Sequence, residues 1–266
     1  MRVLITGAVG NAGQAVCRTL AGTGVEIRMA DVMPPAKEER GLGEFIRCDT
    51  RTPDDVRHAV RGVDAVIHLA AWHCAHNPPV SDSTIFAVNI DGTFALLQAC
   101  REEGIKSFIY ASSMAYGLGS VYGATKVLGE DLCRMYHEIT GASVALLRYH
   151  DFVPKRYIEF GPKLLRNGVD RRDVASATVE EVRGDFQNQG MEWCESKVVG
   201  ATALIEKYGI TFPNSVEQHD LSEAKRLLDW EPAYGFVQFL EDLRERDARG
   251  EDILSLWTPS DLSVVS

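Results

Sequence analysis

The chain has 266 residues, 45% hydrophobic and 25% charged, the proportions of a soluble globular protein of one large domain or one domain with a small appendage. Its net charge of −10 opposes non-specific attraction to nucleic acid or to an anionic membrane surface, and no apolar run reaches the length of a membrane-spanning helix. MRVLITGAVGN, one basic residue and a short apolar run leading into glycines, reads as a first strand rather than a leader. Cys17, Cys48, Cys74, Cys100, Cys133 and Cys194 lack paired spacing, so free thiols in a cytoplasmic protein are expected.

Up to residue 150 the pattern alternates. RVLIT (2–6) reads as a buried strand, NAGQAVCRTLAG as a helix and VEIRMAD (25–31) as a second strand. PDDVRHAVRG opens with Pro53 and two aspartates, which suit the first turn of a helix. DAVIHLAA (64–71) reads as a strand and SDSTIFAVNIDGTFALLQACREEGI as one long helix ending near Gly104. SFIYASS, YGATKVLGEDLCRMYHEITG and SVALLRY follow as strand, helix and strand. Alternation with near-continuous apolar strands predicts an α/β fold, a doubly wound, Rossmann-like parallel sheet that makes residues 1–150 a dinucleotide-binding domain. Residues 151–266 read as a small α-rich substrate-binding region, partly interleaved with the first. In it DFVPKRYIEFGPKLLRNG looks irregular and basic, and RRDVASATVEEV is a helix with Ala175, Val179 and Val182 on one side. ESKVVGATALIEKYG, DLSEAKRLLDWEP and FVQFLEDLRERDARG read as helices and WTPSDLSVVS as a loosely held tail.

The first strand runs directly into TGAVGNAG. Gly7 at the strand end permits a tight turn, Gly10 lets the backbone approach a pyrophosphate, and Gly13 allows close helix–sheet packing. The helix start at Asn11 and Ala12 adds N–H groups and the positive end of a dipole. The G-x-x-G-x-x-G spacing gains weight from the strand before it, the helix after it and Asp31, 18 residues past Gly13 at the end of the second strand. A carboxylate there accepts both hydroxyls of an adenosine ribose and repels a 2′-phosphate, which favours NAD over NADP.

Tyr122 and Lys126 stand at i and i+4, on one helix face. A phenol, with a pKa of about 10, is a poor base at neutral pH. A neighbouring ammonium and the positive charge of an oxidised nicotinamide favour its ionised form, which makes Tyr122 a candidate general base. Ser112 or Ser113 could donate a hydrogen bond to a developing alkoxide or carbonyl oxygen. Tyr116 is a competing phenol, but Ser120 rather than a cation lies four residues on.

Taken in order, TGAVGNAG, Asp31, HLAA (68–71), VNIDGT (88–93), ASS (111–113) and YGATK (122–126) resemble the short-chain dehydrogenase/reductase superfamily. HLAA, the N-x-x-G-T from Asn89 to Thr93 and the late DLSEAKRLLDWEP are similar to its extended branch, the NAD-dependent epimerase/dehydratase family. The resemblance implies NAD as cofactor, with Gly7, Gly10, Asn11, Ala12 and Gly13 at the pyrophosphate, Asp31 at the ribose and Asp49, in RCDTRT, at the adenine. Leu69, Ala70, Ala71 and Asn89 would line the cofactor, and Lys126 would reach the nicotinamide ribose. Tyr122, Lys126 and Ser113 match the catalytic set, with Ser112 as the alternative hydroxyl. It also implies a homodimer through the helices of residues 81–103 and 122–141, where Leu128, Leu132 and Met135 permit either dimer contacts or sheet packing.

Two features depart from that pattern. Only eight residues, Met114 to Val121, separate Ser113 from Tyr122, where the family usually carries a longer link with part of the substrate pocket. Fully extended, they reach roughly 26 Å, enough for the crossing, and Gly117 and Gly119 ease the turning. The expected consequence is a more open site, suiting a larger substrate, a pocket completed by a partner chain, or a protein that binds NAD without turnover. In LRYHDFVP (147–154), Asp151 stands where nucleotide-sugar members usually carry Asn, and His150 replaces an aromatic. A carboxylate facing a pyrophosphate is repulsive, although Arg156, Lys163, Arg166, Arg171 and Arg172 offer positive charge or simply a solvated basic face.

Trp72, His73 and His76, just past HLAA, read as the edge of a substrate pocket or as loop packing; WHCAH lacks a fourth ligand, and no metal is expected. Trp72 and His73, with His150, Asp151 and Arg172, form the candidate substrate set. The resulting expectation is an NAD-dependent oxidoreductase of the epimerase/dehydratase type, acting at a secondary alcohol of a sugar or nucleotide sugar. A small uronate-like dehydrogenase is the alternative, and a non-catalytic NAD-binding regulatory protein is the alternative from another class.

Overall fold

The apolar run Arg2–Thr6 forms β1, the centre of a six-stranded sheet completed by β2 (Glu26–Asp31), β3 (Glu44–Arg47), β4 (Ala65–His68), β5 (Ser107–Ser113) and β6 (Ser143–Tyr149). The strand order is β3-β2-β1-β4-β5-β6 and every pairing is parallel, which is the doubly wound sheet predicted from the alternation. The order reverses between β1 and β4, whose register pairs Thr6 with His68, so a crevice opens beyond their carboxyl ends. The computed structural model describes residues 1–74, 78–116, 118–152, 156–164, 169–180, 201–210 and 233–256. The chain divides into two compact units, Met1–Tyr149 and His150–Ser266.

In the first unit the helices are α1 (Asn11–Leu20), α2 (Pro53–Val60), α3 (Asp82–Phe86), α4 (Gly92–Glu102) and α5 (Val121–Thr140). Leu4, Val66, Phe108 and Tyr110 point to one side of the sheet and pack with α2, α4 and α5 in a single core. The intervening residues Val3, Ile5 and Met29 are 0% exposed on the other side, and α1 packs on β1 and β2. Each such aliphatic side chain contributes about 1.5–3 kcal/mol by leaving water. The helix expected from Ser81 to near Gly104 is interrupted by a π-helical turn, Ala87–Asp91, between α3 and α4. That wider turn rotates Asn89 to a buried position, 1% exposed.

Two sequence expectations need correction. β3 was not foreseen, because EFIR is four residues with charged ends and half-buried centres. The predicted strand 64–71 ends at His68: Leu69 N donates to Thr6 O (3.1 Å) and Ala70 N to Thr6 Oγ1 (3.4 Å), which draws the chain out of the ladder and over the β1 turn.

The second unit contains α6 (Tyr157–Leu164), α7 (Arg171–Glu180), α8 (Ala201–Tyr208) and α9 (Phe236–Ala248). The stretch expected to be irregular is helical at α6 despite Pro162, because Tyr157 packs on Phe239 of α9 with ring centroids 5.0 Å apart and its hydroxyl donates to Asp242 (2.6 Å). On α7, Ala175 is buried as predicted, together with Val174 and Thr178. Val182, the helix expected at DLSEAKRLLDWEP, residues 195–200 and the tail 257–266 lie outside the described residues. Among the described residues no helix is long and apolar enough to cross a membrane.

Candidate active site

The turn after β1 has room only for glycine at two points. A Cβ on Gly7 would stand 2.7 Å from Ala70 N, and the residue has φ of +68°; a Cβ on Gly13 would stand 2.1 Å from Gly7 O. At Gly10 a Cβ would meet only Gly7 O, at 3.3 Å, so the outer side of the turn is open. Helix α1 starts at Asn11 with no side-chain cap, leaving the N–H groups of Asn11, Ala12 and Gly13 without a side-chain acceptor at the positive end of the dipole. Asp31 closes the side of the turn, accepting from Val9 N (3.0 Å) and Met33 N (3.1 Å). An open turn, an uncapped helix and a carboxylate at the end of β2 fit a dinucleotide with a free ribose. Asp49, expected at the adenine, holds the Arg51 guanidinium through contacts of 2.6–3.2 Å, and the Arg51 bond keeps its carboxyl below the usual range.

Behind the turn runs a buried hydrogen-bond chain that sequence reasoning did not resolve. Thr93 donates to Asn89 O (2.6 Å), so it accepts from His68 Nε2 (2.9 Å), and His68 Nδ1 then accepts from Thr6 Oγ1 (2.6 Å). Burial first, and Lys126 second, push the imidazole down to about 3, so it is neutral and this tautomer is the one the partners require. The Asn89 side chain grips Trp72 at both backbone groups, with contacts of 2.8 and 3.0 Å, and donates to Thr125 Oγ1 (3.0 Å), which donates to Tyr122 O (2.7 Å). Asn89 therefore ties the half-buried Leu69, Ala70 and Ala71 segment to the first turn of α5 rather than pointing at a ligand.

Three of the four expected catalytic residues meet there. Tyr122 is 8% exposed, and the Ser113 hydroxyl is near enough to its phenol to favour the ionised form. Lys126 Nζ lies 5.5 Å from the Tyr122 ring centroid, 5.1 Å from that of Tyr110, and donates to Ala111 O (2.7 Å). Ser113 Oγ accepts from Ala115 N (3.0 Å), which leaves its own proton to donate. Ser112, the alternative, faces elsewhere: it is 3% exposed and donates to Glu130 (2.6 Å). The expected acidification of the phenol by Lys126 is not what the geometry gives. Burial pushes Tyr122 up, Ser113 draws it partly back and Cys74 adds to the rise. Lys126 is itself drawn down to about 8 by burial, against Cys133 and Glu130.

Of the candidate substrate residues, His73 packs edge-on against Tyr122, with ring centroids 4.2 Å apart, and Trp72 precedes it under the Asn89 clamp. His76 lies outside the described residues. His150, Asp151 and Arg172 belong to the second unit. There Asp151 Oδ2 is 3.4 Å from Lys163 Nζ, so it is not a lone negative charge, and Arg172 forks onto Asp170 (2.9 Å) with its guanidinium 3.7 Å over the Tyr234 ring.

A doubly wound sheet with a glycine turn at its switch point and a Tyr–Lys pair one turn apart after β5 is the arrangement of the short-chain dehydrogenase/reductase class. Within that class the chain belongs to the NAD-dependent epimerase/dehydratase family, whose model matches residues 3–171. It is 30% identical over 171 residues to a uronate dehydrogenase from Pseudomonas putida, covering 58% of this chain and 62% of that one. It is also 30% identical over 247 residues to an uncharacterised UDP-glucose epimerase from Bacillus subtilis, covering 78% and 73%. A short-chain dehydrogenase/reductase superfamily protein from Agrobacterium tumefaciens, solved with NAD, superposes with a TM-score of 0.73 at 21% identity, over 94% of this chain and 99% of that one. The chain thus spans about three-fifths of the uronate dehydrogenase and nearly three-quarters of the epimerase relative.

Proposed function

We propose that the protein is an NAD-dependent oxidoreductase acting at a secondary alcohol or lactol carbon of a sugar-like substrate. The observation that carries this reading is the buried Tyr122–Lys126 pair, the ammonium 5.5 Å from the phenol ring, on a segment tied by Asn89 to the glycine-turn crevice with Ser113 beside it at the end of β5. Gly7, Gly10, Gly13 and the first turn of α1 would hold the pyrophosphate of NAD, and Asp31 the adenosine ribose. When bound, NAD supplies the hydride acceptor and a positive charge. Tyr122 takes the proton of the substrate hydroxyl at its phenolic oxygen and returns it in the reverse direction. Ser113 donates to the same substrate oxygen as negative charge builds on it. Lys126, buried 5.5 Å from the phenol ring, would oppose part of the cost of burial to the phenolate once the positive nicotinamide is bound. The neutral His68 keeps the crevice wall in place through Thr6 and Thr93.

Identity to the uronate dehydrogenase and to the epimerase supports a sugar substrate, and the Lys163 partner of Asp151 tempers the repulsion that spoke against a nucleotide sugar. We also propose a homodimer through α3, α4 and α5. Phe86, Phe94, Leu128 and Ile139 are 41%, 43%, 42% and 55% exposed there, whereas Leu132 packs on the core. Buried thiols raised to about 12 at Cys17, Cys48 and Cys133 suit a reducing cytoplasm.

The test is a panel of aldoses, uronates and nucleotide sugars assayed for NADH formation and for epimer interconversion, with Tyr122→Phe as control. Net NADH identifies a dehydrogenase, and interconversion without net NADH an epimerase. NAD binding with no turnover of any kind would overturn the enzymatic reading in favour of a regulatory NAD-binding protein.

A further inference from the structure

The shortened link between Ser113 and Tyr122 is folded rather than stretched. Tyr116 N donates to Ser113 O (2.9 Å), Leu118 N to Ala115 O (3.0 Å), and Ser120 caps α5 by accepting from Gly123 N (3.0 Å). It is also pressed onto α5, since a Cβ on Gly123 would stand 2.5 Å from Leu118 O. Such tight turns fix local shape but do not by themselves fix the place of Ser113 beside α5.

A second set of contacts does. The Arg148 guanidinium of β6 lies 3.8 Å over the Tyr116 ring. The same guanidinium forks onto Glu130, at 2.7 and 2.8 Å. Glu130 is 0% exposed and also accepts from Ser112 (2.6 Å) and Arg134 (2.7 Å). It stands eight residues after Tyr122 on α5, so Tyr122, Lys126 and Glu130 share one helix face.

We propose that Glu130 and Arg148 are positioning residues which, through Tyr116, fix the place of Ser113 beside the first turn of α5. The contacts form a chain from Ser113 to Tyr116 by the backbone, from Tyr116 to Arg148 by stacking and from Arg148 to Glu130 by a bidentate ion pair, and Glu130 stands on the face of α5 that carries Tyr122. The short link leaves no loop of its own to anchor the serine, and these contacts do so instead. The Arg148 fork satisfies Glu130 and covers Tyr116 simultaneously, which a lysine's single ammonium cannot do. The catalytic part of this inference rests on the function proposed above.

The test compares Tyr116→Leu, Tyr116→Phe and Arg148→Lys in the full chain, reading amide hydrogen exchange together with kcat and KM. Tyr116 is half-buried and outside the core, so its variants fold. For Tyr116→Leu and Arg148→Lys the expected result is exchange about tenfold faster at residues 113–120, with the central strands β1 and β4 unchanged. A fall of about tenfold in kcat, with the KM for NAD within about twofold, accompanies it, and Tyr116→Phe, which keeps the ring, restores both. Unchanged exchange in the link, a rise spread over the whole sheet, or a loosened link with full kcat would each overturn the proposal. Exchange requires no turnover, so a protein inert on every substrate would sink the proposed activity while the exchange data still decided whether these contacts hold the link.

Discussion

Replacing Lys126 by Met should stabilise the ligand-free fold, or leave it nearly unchanged, at neutral pH while abolishing turnover. Lys126 is 4% exposed, and burial lowers its pKa from 10.5 to about 8. That difference means the folded chain bears about 3 kcal/mol to keep the ammonium charged at pH 7. Met removes that cost but leaves Ala111 O without its 2.7 Å donor, a loss of about 1–3 kcal/mol. The two nearly cancel at pH 7, so pH dependence decides the matter. Because the folded pKa lies below the unfolded one, the unfolded wild type holds more protons from about pH 8 to 10.5, and its stability rises with pH across that window. The variant has no such rise, so its stability relative to wild type should fall by about 1 kcal/mol between pH 7 and pH 9. Thiols raised to about 12 at Cys17, Cys48 and Cys133 begin to destabilise both proteins as pH passes 9, and they drop out of the difference. Urea unfolding followed by circular dichroism at pH 7, 8 and 9 gives the comparison. A Met variant less stable by the same margin at all three values would refute the idea that the ammonium is held against burial.

Further outcomes follow from the same geometry. Gly10→Ala should fold normally and bind NAD more weakly by calorimetry, whereas Gly13→Ala, whose Cβ would sit 2.1 Å from Gly7 O, should lose both binding and about 2 kcal/mol or more of stability. Glu130→Gln should cost about 1–3 kcal/mol at pH 7, since it leaves the half-exposed Arg148 fork without its anion while Arg134 keeps Asp131. Burial alone would raise the Glu130 pKa, but the bonds from Arg148 and Ser112 outweigh it and hold the folded value below 4.5. That stabilisation is therefore present above pH 4.5 and lost as pH falls through the folded value, so acid titration should narrow the gap between wild type and variant; a constant gap argues against it. Leu128→Glu should convert a dimer into a monomer in light scattering without lowering the unfolding midpoint by more than the loss of assembly explains, and a wild-type monomer would remove the proposed interface.

How far the sequence could be read depended on how local each requirement was. Gly7 and Gly13 were legible because the turn that needs them is seven residues long, and the Tyr122–Lys126 pair because helical spacing alone puts both on one face. His68 was not, since its partners Thr6 and Thr93 lie 62 and 25 residues away and only the β1–β4 pairing and the π turn bring them together. The choice between Ser112 and Ser113 likewise depended on Glu130, 18 residues from Ser112, taking the first hydroxyl. α6 was hidden by Pro162 and by the short length of its apolar stripe, Tyr157, Phe160 and Leu164, and its helix is held by packing on α9, more than 70 residues downstream.

Spacing was least able to convey the balance of charge at the phenol. The i, i+4 rule predicts an ammonium that acidifies Tyr122, but both groups share a water-poor crevice and burial drives each toward its neutral form. Lys126, at about 8, still bears its charge at pH 7, but the phenol stays neutral until something positive enters the crevice and opposes burial there. The expected signature is phenolate absorbance that grows when oxidised NAD is added at mildly alkaline pH, is smaller with NADH, and is absent in Tyr122→Phe. Equal signals with the two nicotinamide states would mean that the charge does not reach Tyr122, and that proton transfer at this site needs another base.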